Sequence, residues 1–455
     1  MKKTRFQRLT ALLLSLIFAL GCFSVSALAA DGAAADSAEE EAAAGKGSAL
    51  DIYDTSDMIE LLGAISYGDY VLEYAGVPAA QDTIVIDAID NLYAEKSTAA
   101  YRVATHGGVE ALETPGTGTV SWKVNVPKTA KYTITIVNYA VDDGKANSVE
   151  RVFRVNNKVP FSEARYITIK KNWISDYEAA IYSGKTDASV VESEAKALGL
   201  TCYTDEKGLR IEYPGVWTGA ISDFCDKYGI RFMRIDINKN ELRPATYQEP
   251  TWQEYTFTDS MGFYTESFEF VLEEGENVLT LEGKNAPLAI SKIILAPKAH
   301  VPTYEEYSAK YAGKPSGTGS VKLEGEYMVS ASDKTVYPIE DAADANTSPS
   351  DPSRTMLNTV GGEKWQTAGQ WVTYTFTVDE SGMYDMVFRF RQKELDGMFV
   401  NRSLFIYSEG LAEGADGYYD GLPFAEAKAL TYNFGEKWQV TQASDGSQEI
   451  GRAHV

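Results

Sequence analysis

Histidine and cysteine are nearly missing from this 455-residue chain, with three of each. The histidines, His106, His300 and His454, are too scattered to form a ligand cluster, so no metal site and no cofactor are expected. There is no G-x-S-x-G elbow, no P-loop and no H-E-x-x-H helix. No cysteine and histidine stand together with an orienting carboxylate. The 65 acidic residues could pair for glycoside hydrolysis, but nothing singles out two of them, and the chain reads as non-catalytic. Basic residues are outnumbered 42 to 65, for a formal charge of −23. That balance argues against nucleic acid or an anionic membrane surface as a partner. Past the first 20 residues no apolar run is long enough to span a membrane.

What is present begins with a leader. Lys2, Lys3, Arg5 and Arg8 form a basic region, residues 12–20 an apolar core, and Ala27-Leu28-Ala29 a small-residue cleavage site. This is a secretory signal over residues 1–29, so the chain is expected outside a bacterial cell or on its surface. Ala19-Leu20-Gly21-Cys22 is an imperfect lipobox, with Ala where a large aliphatic is usual. Lipidation at Cys22 is the alternative, and it would provide the chain's one direct route to a membrane. Residues 30–64 are a flexible stalk, rich in Ala, Glu and Gly over 31–47, followed by a short helix starting near Thr55 or Ser56. Two cysteines remain, Cys202 and Cys225. Export permits a disulfide between them, and two buried thiols are the equal alternative.

From residue 65 the chain alternates like a sheet protein, starting at 70–74 and 83–87. Residues 120–126 alternate, turn at Pro127, and return as 132–136. Residues 372–378 do the same and return as 384–388, at a constant offset of 252. Further on, Arg151 meets Arg402, Pro160-Phe161-Ser162-Glu163-Ala164 meets Pro423-Phe424-Ala425-Glu426-Ala427, and Trp173 meets Trp438. This is an internal duplication. The fold expected is all-β: two antiparallel β-sandwich (jelly-roll) domains at 65–298 and 321–448, joined by a linker at 299–320. The first carries a small α/β insertion at 174–236 with both cysteines in it. Residues 264–297 supply three short strands and read as the closing edge of the first sandwich. The second copy has no equivalent and is expected to be incomplete. Residues 449–455 continue no pattern; back-translated with suitable codons they read as a sequencing adapter, and native sequence is expected to stop near Gln448.

Antiparallel sandwiches on a secreted acidic chain are suited to binding. Sugar rings stack their C–H faces on aromatic side chains while polar neighbours bond the hydroxyls. The candidates are Trp173 and Trp438, repeated after a polar loop, Tyr139 and Asn138 at a strand end, and Asn285 in a loop between strands. A packing role competes for the tryptophans and a turn role for Asn285. Asp416 and Asp420, in the acidic loop at 408–421, invite a calcium reading, but the EF-hand spacing is missing and a solvated loop is expected.

These residues resemble a known group. GTVSWKVNVPKTAKYTITI and FEFVLEEGENVLTLEGKNAPLAISKIIL resemble jelly-roll carbohydrate-binding modules of the family 6 and family 35 type. The order ERVFRVNNKVPFSEA, ELRPATYQEPTWQEY, GFYTESFEFVLEEGENVLTLEG and the later PFAEA resembles the N-terminal region of Gram-positive extracellular solute-binding proteins of carbohydrate ABC transporters. The resemblance covers residues 65–448 and departs at the insertion. It implies a carbohydrate ligand and a transporter partner, and it assigns no binding residue. An accessory region of a secreted polysaccharide-degrading enzyme, or a structural adhesin spacer, are the alternatives. The missing closing strands generate a prediction: residues 65–298 fold alone, whereas 319–448 alone aggregate or unfold without cooperativity. A cooperative transition of ordinary midpoint in the isolated second copy, followed by circular dichroism, would refute it.

Overall fold

The structure is a computed structural model and describes residues 64–455 except 177–179, 183, 206–207, 213–217, 231, 233–235, 343–346, 348–349, 377, 379, 393–397, 408–420, 435–437, 443–447 and 453–455. The leader, Cys22 and the stalk through residue 63 lie outside the described residues, as do Asp416 and Asp420.

The chain enters through a helix where strand was expected. In α1 (Tyr67–Glu73) the Ser66 hydroxyl accepts the Asp69 N–H at 3.1 Å, which caps the first turn. Tyr67 and Tyr70 are buried while Leu72 is 76% exposed. Burial at a spacing of three fits a helical face, whereas a strand would put 70 and 72 on the same face and bury them alike. Both hydroxyls accept backbone N–H groups, Tyr67 from Glu269 at 2.9 Å and Tyr70 from Val271 at 2.8 Å.

Sixteen strands follow through residue 296. They are β1 (Ile84–Asp87), β2 (Arg102–His106), β3 (Val109–Thr114), β4 (Gly118–Val126), β5 (Ala130–Tyr139), β6 (Val149–Val155), β7 (Ile167–Ile169) and β8 (Trp173–Asp176). The insertion adds β9 (Ala180–Tyr182), α2 (Ala188–Ala197), β10 (Cys202–Asp205), β11 (Gly208–Ile211) and α3 (Gly219–Tyr228). Then come β12 (Ala245–Gln248), β13 (Trp252–Thr256), β14 (Glu269–Leu272), β15 (Gly275–Gly283) and β16 (Leu288–Ala296). The all-β sandwich is present. One sheet runs β13-β5-β16-β3-β2, with β1 also on β16 and β14 also on β5; the facing sheet runs β4-β15-β6-β7. Between them lie Trp122, Tyr132, Phe153, Phe161, Phe257, Phe268 and Phe270, all 2% exposed or less.

Two expectations are corrected. Residues 120–126 and 132–136 are consecutive strands but not a paired hairpin. β4 pairs β15 across its whole length, and β5 pairs β16, β13 and β14. Alternation reports which face of a strand is buried and says nothing of its partner. The stretch at 264–297 is an edge only at β14, which pairs β5 alone. β15 lies between β4 and β6 in one sheet, and β16 is flanked by β5 on one side and by β3 and β1 on the other. The loop at 284–287 crosses from one sheet to the other. Asn285 pins it, accepting from Glu150 N at 3.0 Å and donating to Ser148 O at 2.9 Å. Arg151 adds a bond to Ala286 O at 2.8 Å.

The α/β insertion leaves from β8 and returns through β12, which pair antiparallel. It carries its own sheet, β10-β11-β9, and its own core. Gly199 and Gly229, at φ +78° and +65°, end its two helices in the left-handed conformation. Cys225 is buried in that core and Cys202 is half-buried, both as thiols and without the cross-link.

The second copy opens inside the expected linker. α4 (Tyr304–Lys310) is capped by Thr303 and repeats the docking contacts of α1. Tyr67 N donates to Glu163 at 2.9 Å, and Tyr304 N to Glu426 at 2.8 Å. Ser162 N donates to Ile65 O, and Ala425 N to Pro302 O, both at 2.8 Å. Trp122 Nε1 donates to Ala88 O at 2.9 Å, and Tyr374 Oη to Gly325 O at 2.8 Å. Beyond that the copies diverge. The described strands are β17 (Ser330–Ala331), β18 (Pro338–Ile339), β19 (Thr359–Val360), β20 (Val372–Thr373), β21 (Phe399–Arg402), β22 (Leu430–Asn433), β23 (Trp438–Gln442) and β24 (Gln448–Arg452). Among the described residues of the alternating stretches at 372–378 and 384–388, only Val372 and Thr373 are strand. β24 falls within the expected adapter-like tail and pairs with β23.

An antiparallel sheet drawn from both copies, β12-β8-β17-β20, stitches them together. Beside it Glu241 N donates to Thr355 O at 3.0 Å, and a Glu241 carboxylate oxygen accepts from Leu357 N at 2.7 Å. Tyr327 of the second copy packs on the core of the insertion. Its neighbour Glu326 is 2% exposed. Burial pushes its carboxyl up to about 8, helped by the nearby charges of Glu324 and Glu241 and opposed by Lys322. An unfolded glutamate titrates near ~4.3. The folded chain therefore holds a proton there that the unfolded chain gives up. This contribution to stability is complete below the unfolded value and is lost as pH rises toward 8. Denaturant unfolding at pH 5 and at pH 8.5 should differ by roughly 2–4 kcal/mol more in the parent than in Glu326→Gln. An equal pH dependence in both proteins would exclude Glu326 as the source.

Candidate functional site

The best-formed polar and aromatic cluster stands at one end of the seven-stranded sheet. The β2–β3 hairpin begins it. Gly107 and Gly108, at φ +54° and +81°, form the two-residue turn that a hairpin of this twist requires. The resulting register sets Arg102 directly opposite Glu113. Arg102 reaches that carboxylate at 2.8 Å, and His106 Nε2 reaches it at 2.9 Å. Residues 102 and 106 share a strand parity, so both point to the same face. Burial pushes the Glu113 carboxyl up, but hydrogen bonds from Arg102 and then His106 outweigh it and hold it below the usual range. Glu113 is thus an anion with two cationic or donating neighbours, one of which, Arg102, keeps most of its side chain in solvent.

The aromatic part rests on this hairpin. Tyr139 ends β5 and Trp252 begins β13, and the two are paired. Their rings lie 5.5 Å apart, tilted at 49°. The His106 ring stacks on Tyr139 at 5.0 Å. Trp252 Nε1 donates to His106 O at 2.8 Å. A Cβ at residue 107 would come within 3.3 Å of the indole, so glycine also lets the indole lie against the turn. Tyr139 and Trp252 are half-buried. They present apolar ring surface beside a carboxylate, a guanidinium and an imidazole, which is the combination a polyhydroxylated ring can use.

The residues expected from sequence part company here. Tyr139 belongs to the cluster. Asn138, its neighbour in β5, points to the other face, is buried, and donates to Gln253 O at 3.1 Å; it fixes β13 rather than meeting solvent. Asn285 is consumed by the loop crossing. Trp173 is 5% exposed, in the seam between copies, with Lys334 Nζ 5.7 Å from its ring. Flanked by β12 and β17, it offers no open face to a ligand. The backbone of Trp438 begins β23, and its side chain lies outside the described residues. Arg102, His106, Glu113 and Trp252 were missed. The signal for the first three was two alternating runs around Gly-Gly, which dictates a hairpin and therefore the Arg102–Glu113 pairing. Trp252 carries no such signal, because its partner is 113 residues away in β5. Among the described residues no group of three His, Cys, Asp or Glu side chains converges to hold a metal ion. No described helix is long and apolar enough to cross a membrane.

No family model matches this chain, and no curated protein does. Solved structures do match over about half of it, at low scores. A GH26-CBM35 β-(1,4)-mannanase of Podospora anserina aligns at 10% identity and a TM-score of 0.22, over 49% of this chain and 29% of that one. A CBM35 from Cellvibrio japonicus Abf62 aligns at 10% identity and 0.21, over 48% of this chain and 95% of that one. A family 35 carbohydrate binding module of Clostridium thermocellum aligns at 12% identity and 0.18, over 48% and 95%. The shared stretch thus spans less than a third of the mannanase, and at these scores function has to be sought in the residues of this chain.

Proposed function

We propose that this chain is a non-catalytic carbohydrate-binding and spacer region, of the kind that precedes the solute-binding domain in a surface protein for sugar uptake. The observation that carries the proposal is the Tyr139–Trp252 shelf bordered by Glu113, Arg102 and His106. Half-open rings supply C–H stacking surface at little conformational cost, since each turns about only two side-chain bonds. Glu113 accepts hydroxyl protons while Arg102 donates. The exposed guanidinium can swing onto a ligand and leave His106 holding the carboxylate. The strong negative charge of the chain favours neutral or cationic glycans over polyanionic ones.

The test is a panel of soluble neutral polysaccharides in affinity electrophoresis, followed by calorimetry on the best ligand. Trp252→Ala should weaken binding by about tenfold or more, as removal of a central aromatic contact does. Asn285→Ala should leave binding unchanged and lower stability by roughly 1–2 kcal/mol, because it removes two hydrogen bonds that hold the crossing, to Glu150 N and Ser148 O. Undiminished binding by a folded Trp252→Ala protein would move the site elsewhere. No binding to any glycan would leave a spacer.

A further inference from the structure

The second copy buries a carboxyl where the first copy packs an alkyl chain. The match between the two places is fixed on both sides. Trp122 Nε1 donates to Ala88 O, and Tyr374 Oη to Gly325 O. A little further on, Tyr93 N donates to Ser121 O and Val329 N to Thr373 O, both at 2.8 Å. The residue after the first matched carbonyl is Ile89 in one copy and Glu326 in the other. Ile89 packs against the core of its sandwich. Glu326 is 2% exposed. Taking an ionised carboxyl out of water costs far more than taking an isoleucine, and a carboxyl so placed lowers that cost by holding its proton.

Glu326 stands at the seam between the copies. Tyr327, next in sequence, packs on the core of the insertion. From the other side comes Glu241, itself 7% exposed, whose backbone N–H and carboxylate hold Thr355 O and Leu357 N of the second copy. Asn240 Oδ1 adds a bond from Thr355 N at 2.8 Å. The charges of Glu324 and Glu241 disfavour ionisation of Glu326, and that of Lys322 favours it. Lys322 is held by Glu324 at 2.5 Å and keeps most of its side chain in solvent. Burial, and after it the charge of Glu326, push the Tyr374 phenol up. Arg243 is committed elsewhere on the seam, lying 3.4 Å over the Tyr337 ring and donating to Lys334 O at 3.0 Å. An ionised Glu326 therefore meets one acid from its own copy and one from the first copy, inside a buried interface.

We propose that Glu326 is a proton-operated latch on this seam. With the carboxyl neutral, the second copy rests on the insertion and on residues 240–241. With the carboxyl ionised, repulsion from Glu241 and the pull of hydration draw residues 326–327 out. The second copy then leaves the insertion while the first sandwich stays folded. Opening releases a proton, so the joint is linked to pH. A free glutamate titrates near ~4.3, and burial pushes Glu326 up to about 8. The closed seam is favoured in full below the lower value and loses that advantage as pH rises toward the upper one.

The test is amide exchange of the full chain at pH 5.5 and pH 8.5, corrected for the intrinsic effect of pH on exchange. Residues 326–332 and 355–358 should lose about tenfold or more of their protection at the higher pH, reversibly. Residues 279–295, in the first sandwich, should keep theirs. In Glu326→Gln the protection of the seam should not depend on pH. Where that protein does not fold, Glu326→Ile, which carries the first copy's residue, takes its place with the same expectation. Glu241→Gln lifts the facing charge and should soften the pH effect without removing it. Seam protection that is unchanged in the parent, or that falls equally in the Glu326 variant, overturns the proposal. Loss at residues 279–295 in step with the seam also overturns it, since the chain would then be unfolding as a whole.

Discussion

Everything in the first sandwich depends on one stretch of backbone entering both sheets. β15 is flanked by β4 and β6, and β16 by β5 and by β3 with β1. Four intervening residues carry the chain across the core. β4 and β5, though consecutive, do not pair with each other: β4 finds its long ladder on β15, and β5 is flanked by β16 on one side and by β13 and β14 on the other. Unpaired backbone groups in a buried layer are costly, so both sheets are complete only with the crossing in place. The bonds gathered at the crossing follow from that demand: Asn285 accepting from Glu150 N and donating to Ser148 O, Arg151 donating to Ala286 O, and Thr114 Oγ1 donating to Leu288 O at 3.0 Å. Arg151 is buried, and burial lowers its pKa to about 10. A buried guanidinium is tolerated here because it donates to carbonyls at the point where the two layers meet.

The duplication makes the second copy an internal control. Its entrance helix, its PFAEA docking and the hydrogen bond of Tyr374 to Gly325 all repeat the first copy. The β21–β22 ladder repeats β6–β7, with Arg402 opposite Leu430 as Arg151 is opposite Ile167. Those features are local or need one partner. Among the described residues, the alternating segments of the second copy stand exposed where those of the first are buried. Composition and alternation are matched between the copies, so the loss is one of partners and not of propensity.

This also explains what could be seen in the sequence. The parity of Phe268, Phe270 and Leu272 foretold three buried side chains, and all three are fully buried. The helix ends at Gly199 and Gly229 were legible because positive φ is a local demand. Pairing was not legible, because two-residue periodicity is the same for a hairpin partner and for a strand that crosses to the other sheet. α1 was missed because Tyr70, Leu72 and Tyr74 happen to alternate, while the burial that decides the matter falls on Tyr67 and Tyr70. Half of the candidate site was hidden for the same reason. The Arg102–Glu113 pair follows from a turn, but Trp252 reaches Tyr139 only after the insertion has come and gone.

The shelf and the crossing are mechanically one object. Tyr139 sits between Trp252 on β13 and Ala289 on β16, so the strand that closes the sandwich also fixes the height and tilt of the aromatic surface. Extending the offset of 252 by three residues places Arg391 where the first copy has Tyr139. Arg391 is engaged in an ion pair with Asp341, an arrangement with no stacking surface in it. The two copies are therefore not two equal sites. Duplication kept the entrance helix and the apolar alternation that both copies need to fold. It did not keep the ring and charge pattern that only a binding face needs, and so the shelf stands on the first copy.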